Sequence, residues 1–272
     1  MVTIHDLVHR FAPGTQRPSA RWKQRVFQPL CARSADRLVT VSKATAVDVA
    51  LHYGREPDAV IEPLAHPAFA PVERAAADAT LHRLGVSPPY LFSVGTLEPR
   101  KNLGALVQAH ADCTAAGIAL PTLVIAGGRG WFDARLHEVL ADPALADRIR
   151  WLGFVPTDPL VHLYARCEAV VMPSLYEGYG MPLLEAQLCG APVIHGDHRS
   201  MVEAAGGVGF SVSPTRAGLR RALQDLAAGR LPLACRLPAT IPNDSAMSAG
   251  RLWAVMTGAW QARSGHLAVQ PA

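Results

Sequence analysis

Residues 169–194 have the sequence A-V-V-M-P-S-L-Y-E-G-Y-G-M-P-L-L-E-A-Q-L-C-G-A-P-V-I, and the rest of the chain is organised around them. The pattern predicts a buried strand over 169–172, then a loop, and then a short helix that begins at Pro182 and stops at Gly190. Proline suits the first helical position because its missing N–H has no partner there, and glycine is favoured just past a helix end. A second strand is expected from Pro192.

Two glutamates of this stretch, Glu177 and Glu185, would lie on roughly the same face of one continuous helix. Gly178, Gly180 and Pro182 interrupt such a helix. We therefore expect Glu177 on a loop at the carboxyl end of a strand, and Glu185 in the first turn of the helix that follows. The carboxyl edge of an open parallel sheet is where ligands bind.

The start of this helix also predicts an anion site. We expect the amides of Leu183 and Leu184 to point outward without partners, with the helix dipole behind them. Such an arrangement favours a phosphate-bearing ligand.

Composition and charge restrict the class of protein. The chain has 272 residues, half of them hydrophobic, and a formal net charge of +4, which suits nucleotide diphosphates or a phospholipid surface and is too small to indicate nucleic acid. No apolar run reaches the roughly 18 residues of a membrane span and the polar start does not resemble a signal peptide, so we expect a cytoplasmic protein. The scattered cysteines and the pair His195 and His198 do not make a ligand set, so no metal site is expected.

Strands and helices alternate strictly from Tyr90 onward, which predicts an α/β protein with a parallel sheet and helices on both faces. A proline-punctuated stretch before this region is the expected linker. We expect a partial N-terminal α/β domain over 1–72, a complete doubly wound, Rossmann-like domain over 73–244, and a C-terminal helix and tail over 245–272.

Helix signals are also present elsewhere in the chain. They predict helices over 17–38, with an interruption near Pro29, over 43–53, with Ser42 as the N-cap, and over 132–140.

A second set of polar residues lies in S-V-G-T-L-E-P-R-K-N, residues 93–102, after the first strand of the larger domain. The turn at Gly95, followed by Arg100 and Lys101 at a helix start, places two cations and a helix N-terminus at the ligand edge of the sheet. This arrangement predicts a diphosphate site. The alternative is a solvated charge pair beside an N-cap.

The 173–194 stretch resembles the E-x7-E signature of glycosyltransferase family 4, the group 1 glycosyltransferases, which are retaining enzymes of the GT-B fold that use nucleotide-sugar donors. The 93–102 stretch is similar to the phosphate-binding loop of that family, except that Thr96 stands where an arginine is common. T-I-H-D-L, at the beginning of the chain, is similar to part of the family's N-terminal domain. The resemblance implies that Glu177 lies against the donor sugar and that Glu185 hydrogen-bonds the ribose hydroxyls.

The same resemblance implies a catalytic set and a donor-binding set. The catalytic set is His5, Glu177, Lys101 and Arg100. The donor-binding set is Gly95, Arg100, Lys101, Gly127, Phe154, Val155, Glu177, Gly178, Tyr179, Gly180, Met181, Leu183 and Glu185. Because the chain has no Asp-x-Asp, we expect cations and amides, rather than a metal, to stabilise the leaving diphosphate. No cofactor is expected beyond the donor substrate.

The implied reaction moves a hexose, with retention, from a nucleotide-diphosphate sugar to a saccharide or lipid-linked acceptor in polysaccharide or glycan biosynthesis. Similarity to mannosyltransferases of O-antigen assembly favours GDP-mannose as the donor. Only the later half of the family's N-terminal domain is recognisable, so we expect the first part of that domain to be missing. This leaves open a catalytically inactive nucleotide-sugar-binding or assembly module, or another GT-B chemistry such as epimerisation.

Residues 17–27 combine basic and aromatic side chains, including Arg21, Lys23, Trp22 and Phe27. One interpretation is a solvated helix face whose aromatic residues are buried in the core. The other is a weak peripheral contact with the inner face of the membrane, which would bring the protein to a lipid-linked acceptor.

Overall fold

The computed structural model of the protein describes residues 1–130, 136, 139–140, 145, 147–235, 241 and 244–267, with side chains as far as residue 258. Its contacts divide the chain into two compact units. The first comprises Met1–Leu64, Glu177–Tyr179 and Pro242–Ala272, and the second comprises Ala65–Tyr176 and Gly180–Ile241. The loop that carries Glu177 is therefore counted with the N-terminal residues.

The first unit is built on a small parallel sheet with the strand order β1-β2-β3. The strands are β1 (Val2–Ile4), β2 (Leu38–Thr40) and β3 (Ala59–Val60), and the helices are α1 (Val8–Phe11), α2 (Pro18–Ser34) and α3 (Lys43–Tyr53). Helix α3 has the predicted bounds because both of its ends are specified locally. The Ser42 hydroxyl accepts a hydrogen bond from the Thr45 amide at 2.9 Å, and Gly54 closes the helix at φ 66°.

Helix α2 continues through Pro29, so the predicted interruption is wrong. Side chains on either side of the proline are anchored to neighbouring elements. Gln28 Nε2 donates to the carbonyl of Asp6 at 2.9 Å, and Arg33 Nε donates to the carbonyl of Tyr53 at 2.9 Å. These tertiary contacts outweigh the one backbone hydrogen bond that a proline removes.

The aromatic side chains of α2 are on the surface. Trp22 is 61% exposed and Phe27 is 54% exposed, and their ring centroids lie 6.3 Å apart in an edge-to-face arrangement. The interpretation that buries both residues in the core is therefore wrong.

The second unit is a six-stranded parallel sheet with the strand order β6-β5-β4-β7-β8-β9. Its strands are β4 (Tyr90–Val94), β5 (Thr122–Ala126), β6 (Ile149–Trp151), β7 (Ala169–Met172), β8 (Val193–Gly196) and β9 (Phe210–Val212). Its helices are α4 (Arg74–Leu84), α5 (Leu103–Ala115), α6 (Thr157–Arg166), α7 (Met181–Leu188), α8 (Arg199–Ala204) and α9 (Arg216–Ala227). The last helix, α10 (Ser245–Leu267), belongs to the first unit.

The strand order places a topological switch point between β4 and β7. The chain winds outward from β4 through β5 to β6, then returns and winds the other way from β7 to β9. This is the doubly wound, Rossmann-like arrangement predicted from the alternation, and ligands of such sheets bind beyond the carboxyl ends of the strands at the switch point. The two motifs singled out in the sequence follow these two neighbouring strands.

The sheet of the second unit is buried on both faces, which explains its continuous apolar strands. Leu91, Leu123, Val170 and Ile194 are each at most 1% exposed. The predicted helix over 132–140 lies outside the described residues. Among the helices that are described, none is both long enough and apolar enough to cross a membrane.

Candidate functional site

Glycine turns follow β4, β5 and β6 and pack backbone against backbone. The amide of Gly95 donates to the carbonyl of Ala126 at 2.9 Å, and the amide of Gly127 donates to the carbonyl of Gly153 at 2.7 Å. A Cβ on Gly127 would overlap the carbonyl oxygen of Gly95, and the φ of Gly127 is 150°, so the position requires glycine. The turns thus form one layer beyond the carboxyl ends of these strands.

Lys101 lies over the first of these turns. It ends a short 3-10 turn, Pro99–Lys101, and its Cδ and Cε atoms would lie 3.3 Å from a Cβ built on Gly95. The side chain is partly buried, and its positive charge lowers the pKa of Glu185, which acts against the larger effect of burial on that group. Lys101 and Glu185 are thus coupled electrostatically within the second unit.

Arg100, predicted to hold the diphosphate, makes contacts within the protein. One guanidinium nitrogen donates to the carbonyl of Tyr176 at 3.0 Å, and the other forms an ion pair with Glu98 at 2.6 Å. The carbonyl of Arg100 accepts from the amide of Leu175 at 2.9 Å. These bonds join the loop after β4 to the loop after β7, and the predicted contact of Arg100 with a diphosphate remains a prediction.

Asn102 joins the same loops and was not singled out from the sequence. Its side-chain amide donates to the carbonyls of Pro173, at 3.1 Å, and Pro214, at 2.6 Å. Its backbone has a φ of 57°, a left-handed conformation that asparagine tolerates better than most residues. An asparagine immediately before a helix, at the ligand edge, was the available signal. Asn102 holds together the loops after β4, β7 and β9.

Helix α7 begins one residue earlier than predicted, and this changes its N-terminus. Gly180 is the N-cap with a φ of 119°, and Met181 is the first helical residue. The Leu183 amide donates to the Gly180 carbonyl at 2.9 Å, so the prediction that this amide is unpaired is wrong. The first turn satisfies it internally through a bond between residues three apart. Glu185 consequently lies in the second turn, and its predicted first-turn position is also wrong.

Glu185 is partly buried and receives a hydrogen bond that the sequence did not predict. The hydroxyl of Tyr164, on α6, donates to Glu185 Oε2 at 2.9 Å. Burial raises the pKa of Glu185, while the bond from Tyr164 and the charge of Lys101 lower it, and the raising effect is the larger. Burial and the neighbouring carboxylate raise the pKa of Tyr164 well above its ordinary value, so its hydroxyl remains a donor. Tyr164 therefore fixes the orientation of the carboxylate.

The Glu177 loop packs within the first unit. The carbonyl of Gly178 accepts hydrogen bonds from the hydroxyls of Ser42, at 2.6 Å, and Thr45, at 3.0 Å. A Cβ on Gly178 would overlap the carbonyl oxygen of His5, so the two backbones are in direct contact. Glu177 is 7% exposed, which places its carboxylate in a largely buried environment.

Within the first unit the structure therefore brings the Glu177 loop to the end of β1, where His5 follows the strand with an exposed side chain. Ser42 was predicted only as an N-cap. Its second bond, to Gly178, joins residues more than one hundred positions apart and has no local signal. The predicted roles of Glu177 and His5 remain predictions.

The other predicted donor-site residues occupy varied environments. Phe154 is 79% exposed in the loop after β6, and its neighbour Val155 is 9% exposed. Tyr179 is also 9% exposed, whereas Met181 is partly buried at the start of α7. Among the described residues, the histidine, cysteine and acidic side chains do not gather into a group of three or more that could hold a metal ion.

The doubly wound sheet thus has glycine turns, a lysine and a partly buried glutamate at its switch point, where ligands of such α/β sheets bind. Residues 81–226 match the family described as glycosyl transferases group 1. Because this match covers more than half of the chain, the protein belongs to the group 1 glycosyltransferase family.

Similar proteins support this assignment. The O-antigen chain mannosyltransferase B of Escherichia coli is 38% identical over 125 residues, which cover 46% of this chain and 33% of the relative. The D-inositol 3-phosphate glycosyltransferase of Rhodococcus jostii is 31% identical over 215 residues, which cover 75% of this chain and 45% of the relative. The chain thus spans less than half the length of either relative.

Solved structures show the same fold. Anabaena HepE, whose crystal structure contains UDP and glucose, matches 97% of this chain and 71% of its own with a TM-score of 0.67 and 21% sequence identity. Sucrose-phosphate synthase from Thermosynechococcus elongatus matches 97% of this chain and 66% of its own, with a TM-score of 0.66 and 22% identity. These likenesses, together with the parallel sheets, confirm the predicted α/β architecture of the GT-B type.

Proposed function

We propose that this protein is a retaining glycosyltransferase that moves a hexose from a nucleotide-diphosphate sugar to a saccharide or lipid-linked acceptor. Mannose is the hexose that we favour. The observation that carries the proposal is the arrangement at the switch point of the second unit. There Lys101 lies on the glycine turn after β4. Glu185, on α7, accepts a hydrogen bond from Tyr164, on α6. A cation and a fixed carboxylate are suited to a diphosphate and a ribose, respectively.

The proposed roles follow from the charges of these groups. A diphosphate gains negative charge as the glycosidic bond breaks, so a lysine held near it stabilises the transition state more than the ground state. The carboxylate of Glu185, fixed by the Tyr164 hydroxyl, accepts hydrogen bonds from the ribose hydroxyls. From the family resemblance we infer that Glu177 contacts the donor sugar and that His5 acts at the sugar or the reacting centre.

The proposed donor is GDP-mannose. The support is the similarity to a relative named as a mannosyltransferase, together with the V-G-T-L-E-P-R-K-N and A-G-G-R-G-W turns of this chain. Calorimetric titration of the chain with GDP-mannose, UDP-glucose and ADP-glucose tests this choice. We expect GDP-mannose to bind most tightly. A preference for UDP-glucose would refute the proposed donor, and failure to bind any of the three would refute the proposed function.

An activity assay distinguishes an enzyme from an inactive nucleotide-sugar-binding module. The chain is incubated with GDP-mannose and a panel of mannosyl and lipid-linked oligosaccharides, and the release of GDP is measured. Acceptor-dependent release that is lost in Glu177→Gln supports transfer. Tight donor binding without release from any acceptor favours the nucleotide-sugar-binding module instead.

Contact with a membrane surface is proposed for the exposed side of α2. Trp22 and Phe27 lie side by side in solvent, and the neighbouring Arg21 and Lys23 are also exposed. Aromatic rings insert at the interface and basic groups attract anionic lipids, each contributing weakly. Flotation with anionic vesicles should show binding that falls with salt and in Trp22→Ser. Leu51→Ser, which removes another exposed apolar side chain, is the matched control. Equal binding of both variants would remove this surface from the proposal.

A further inference from the structure

A basic cavity of about 390 Å³ lies within the first unit, and one of its lining residues, Arg21, also belongs to the surface proposed to contact a membrane. It is lined by His9, Arg10, Phe11, Pro13, Arg21, Arg25 and His52. Three arginines and two histidines thus surround a space large enough for a phosphate or diphosphate group. No acidic side chain is among the lining residues.

Local structure explains how the basic residues come together. Arg21 and Arg25 are four residues apart on α2 and therefore share one face of that helix. Gln28 continues the same face and bonds to the hydroxyl of Tyr53, on α3, at 2.7 Å. On the opposite wall the rings of Phe11 and His52 meet edge to face with centroids 5.3 Å apart. The cavity is thus held by α1, α2 and α3.

Besides the basic lining of the cavity, the buried side chain of His9 also indicates a ligand. It is 6% exposed and lines the cavity, and its Nδ1 has no hydrogen-bond partner within the described part of the chain. The other ring nitrogen, Nε2, lies 3.3 Å from the hydroxyl of Tyr53. A buried polar nitrogen without a partner is costly, and a ligand oxygen in the cavity would satisfy it.

We propose that this cavity binds a phosphate or diphosphate group, held by Arg21, Arg25 and His9. Arginine guanidinium groups match phosphate oxygens geometrically and form charge-assisted hydrogen bonds. The inference goes beyond the proposed transfer reaction, because the cavity is formed entirely within the first unit and requires no donor. The phosphate can belong to a soluble molecule or to a lipid headgroup, and the experiment separates these sources.

The hydrogen bonds around His9 predict proton uptake on binding. The Tyr53 hydroxyl donates to Gln28, so it accepts from His9 Nε2, and Nδ1 becomes a donor only when the ring is protonated. Burial is the largest cause of the lowered pKa of His9. Of the charged groups that face it, Arg10, Arg25 and His52 lower this pKa and Asp6 raises it. The Tyr53 hydroxyl, whose pKa burial raises to about 12, remains protonated. A bound anion should therefore raise the pKa of His9, and binding should strengthen as the pH falls.

The test is calorimetric titration of the chain with inorganic pyrophosphate, comparing Arg25→Ala with Lys23→Ala. Both residues are exposed on α2 and carry the same charge, but only Arg25 lines the cavity. Loss of one charge-assisted bond should weaken binding about tenfold in Arg25→Ala and less than twofold in Lys23→Ala. Thermal melts of both variants check that each is folded. Equal weakening would show nonspecific attraction and overturn the proposal.

The same titrations are repeated in the Lys101→Ala background, which removes the lysine of the candidate donor site. Binding that depends on Arg25 should persist there even if the proposed donor function fails. Vesicles of phosphatidylcholine with and without phosphatidic acid identify the source of the phosphate. Binding to phosphatidic acid that requires Arg25 and is competed by pyrophosphate assigns a lipid headgroup, and pyrophosphate binding without it assigns a soluble ligand. If pyrophosphate binding does not distinguish Arg25→Ala from Lys23→Ala, the cavity does not bind phosphate.

Discussion

Replacing Tyr164 by phenylalanine should lower the stability of the protein more at neutral pH than at acidic pH. The tyrosine is completely buried against Phe69 and Phe92, so phenylalanine keeps the ring packing and removes only the hydroxyl. The lost bond runs from that hydroxyl to Glu185 Oε2 at 2.9 Å. A hydrogen bond to a charged group is worth about 1.5–3 kcal/mol and one between neutral groups about 0.5–1.5 kcal/mol.

The sign of the pH dependence follows from the pKa of Glu185. Burial raises this pKa, so the folded state holds the proton more tightly than the unfolded state and loses stability as the pH rises through the folded pKa. The hydrogen bond from Tyr164 lowers the pKa of Glu185 and so acts against the effect of burial. Removing the bond raises this pKa further and increases the stability that is lost as the pH rises. Below the pKa of the unfolded state, about 4.3, Glu185 is neutral in both states. Tyr164→Phe then costs only the smaller free energy of a hydrogen bond between neutral groups.

Tyr90→Phe is the matched control. Tyr90 is also completely buried, but its hydroxyl donates to the backbone carbonyl of Leu163 at 2.6 Å, and that acceptor does not titrate. Urea unfolding of the protein and both variants between about pH 8 and pH 4 measures the effect. The cost of Tyr164→Phe should grow with pH, and that of Tyr90→Phe should stay constant. Parallel pH profiles for the two variants would refute the assigned role of Tyr164.

Three further predictions concern the Glu177 loop and the candidate donor site. Gly178→Ala should destabilise the protein by about 1–3 kcal/mol in urea unfolding, because its Cβ would overlap the His5 carbonyl, whereas Gly14→Ala, with open space around it, should change little. Lys101→Ala should weaken calorimetric binding of GDP more than that of guanosine, while Glu185→Ala should weaken both, and equal losses in Lys101→Ala would contradict the separation of roles. GDP should bind equally well with a chelator present, and a strict requirement for Mg²⁺ would refute a site based on Lys101.

The strands and helices with local end signals were predictable from the sequence. Helix α3 has the expected bounds because Ser42 and Gly54 act on the backbone next to them. Strand β7 also has the predicted bounds, 169–172, since it is a continuous apolar run that must be buried and Pro173 follows it directly. The alternation of these elements was enough to predict the doubly wound sheet.

The incorrect predictions have two causes. The errors at Leu183 and Glu185 are local, since α7 begins one residue earlier than expected, whereas the error at Pro29 reflects tertiary contacts that outweigh local preference. Pro29 does not interrupt α2 because Gln28 and Arg33 are bonded to other elements. For Trp22 and Phe27, which the sequence analysis left either buried or exposed, the structure supports exposure. No pattern within a single element can reveal such contacts.

The same limit applies to the candidate site. The sequence located Lys101 and Glu185 through their motifs, but the groups that orient them come from other segments. Tyr164 reaches Glu185 from the preceding helix, and Asn102 holds the loops that follow three different strands. Tyrosine is common in cores, so Tyr164 carries no signal that distinguishes it from an ordinary structural residue, and the position of Asn102 before a helix does not reveal which loops it joins.

The spacing within the E-x7-E stretch follows from separate backbone requirements. Gly178 must lack a side chain because the His5 carbonyl lies where a Cβ would be, and Gly180 must adopt a φ of 119° to begin α7. Pro182, one residue into the helix, can occupy that position only because no helical partner awaits its missing N–H. These residues are explained by geometry alone. The backbone gives no comparable reason for Glu177 to be acidic, or for a carboxylate at position 185 to be partly buried at a cost in stability, and the proposed contacts with a donor would supply that reason.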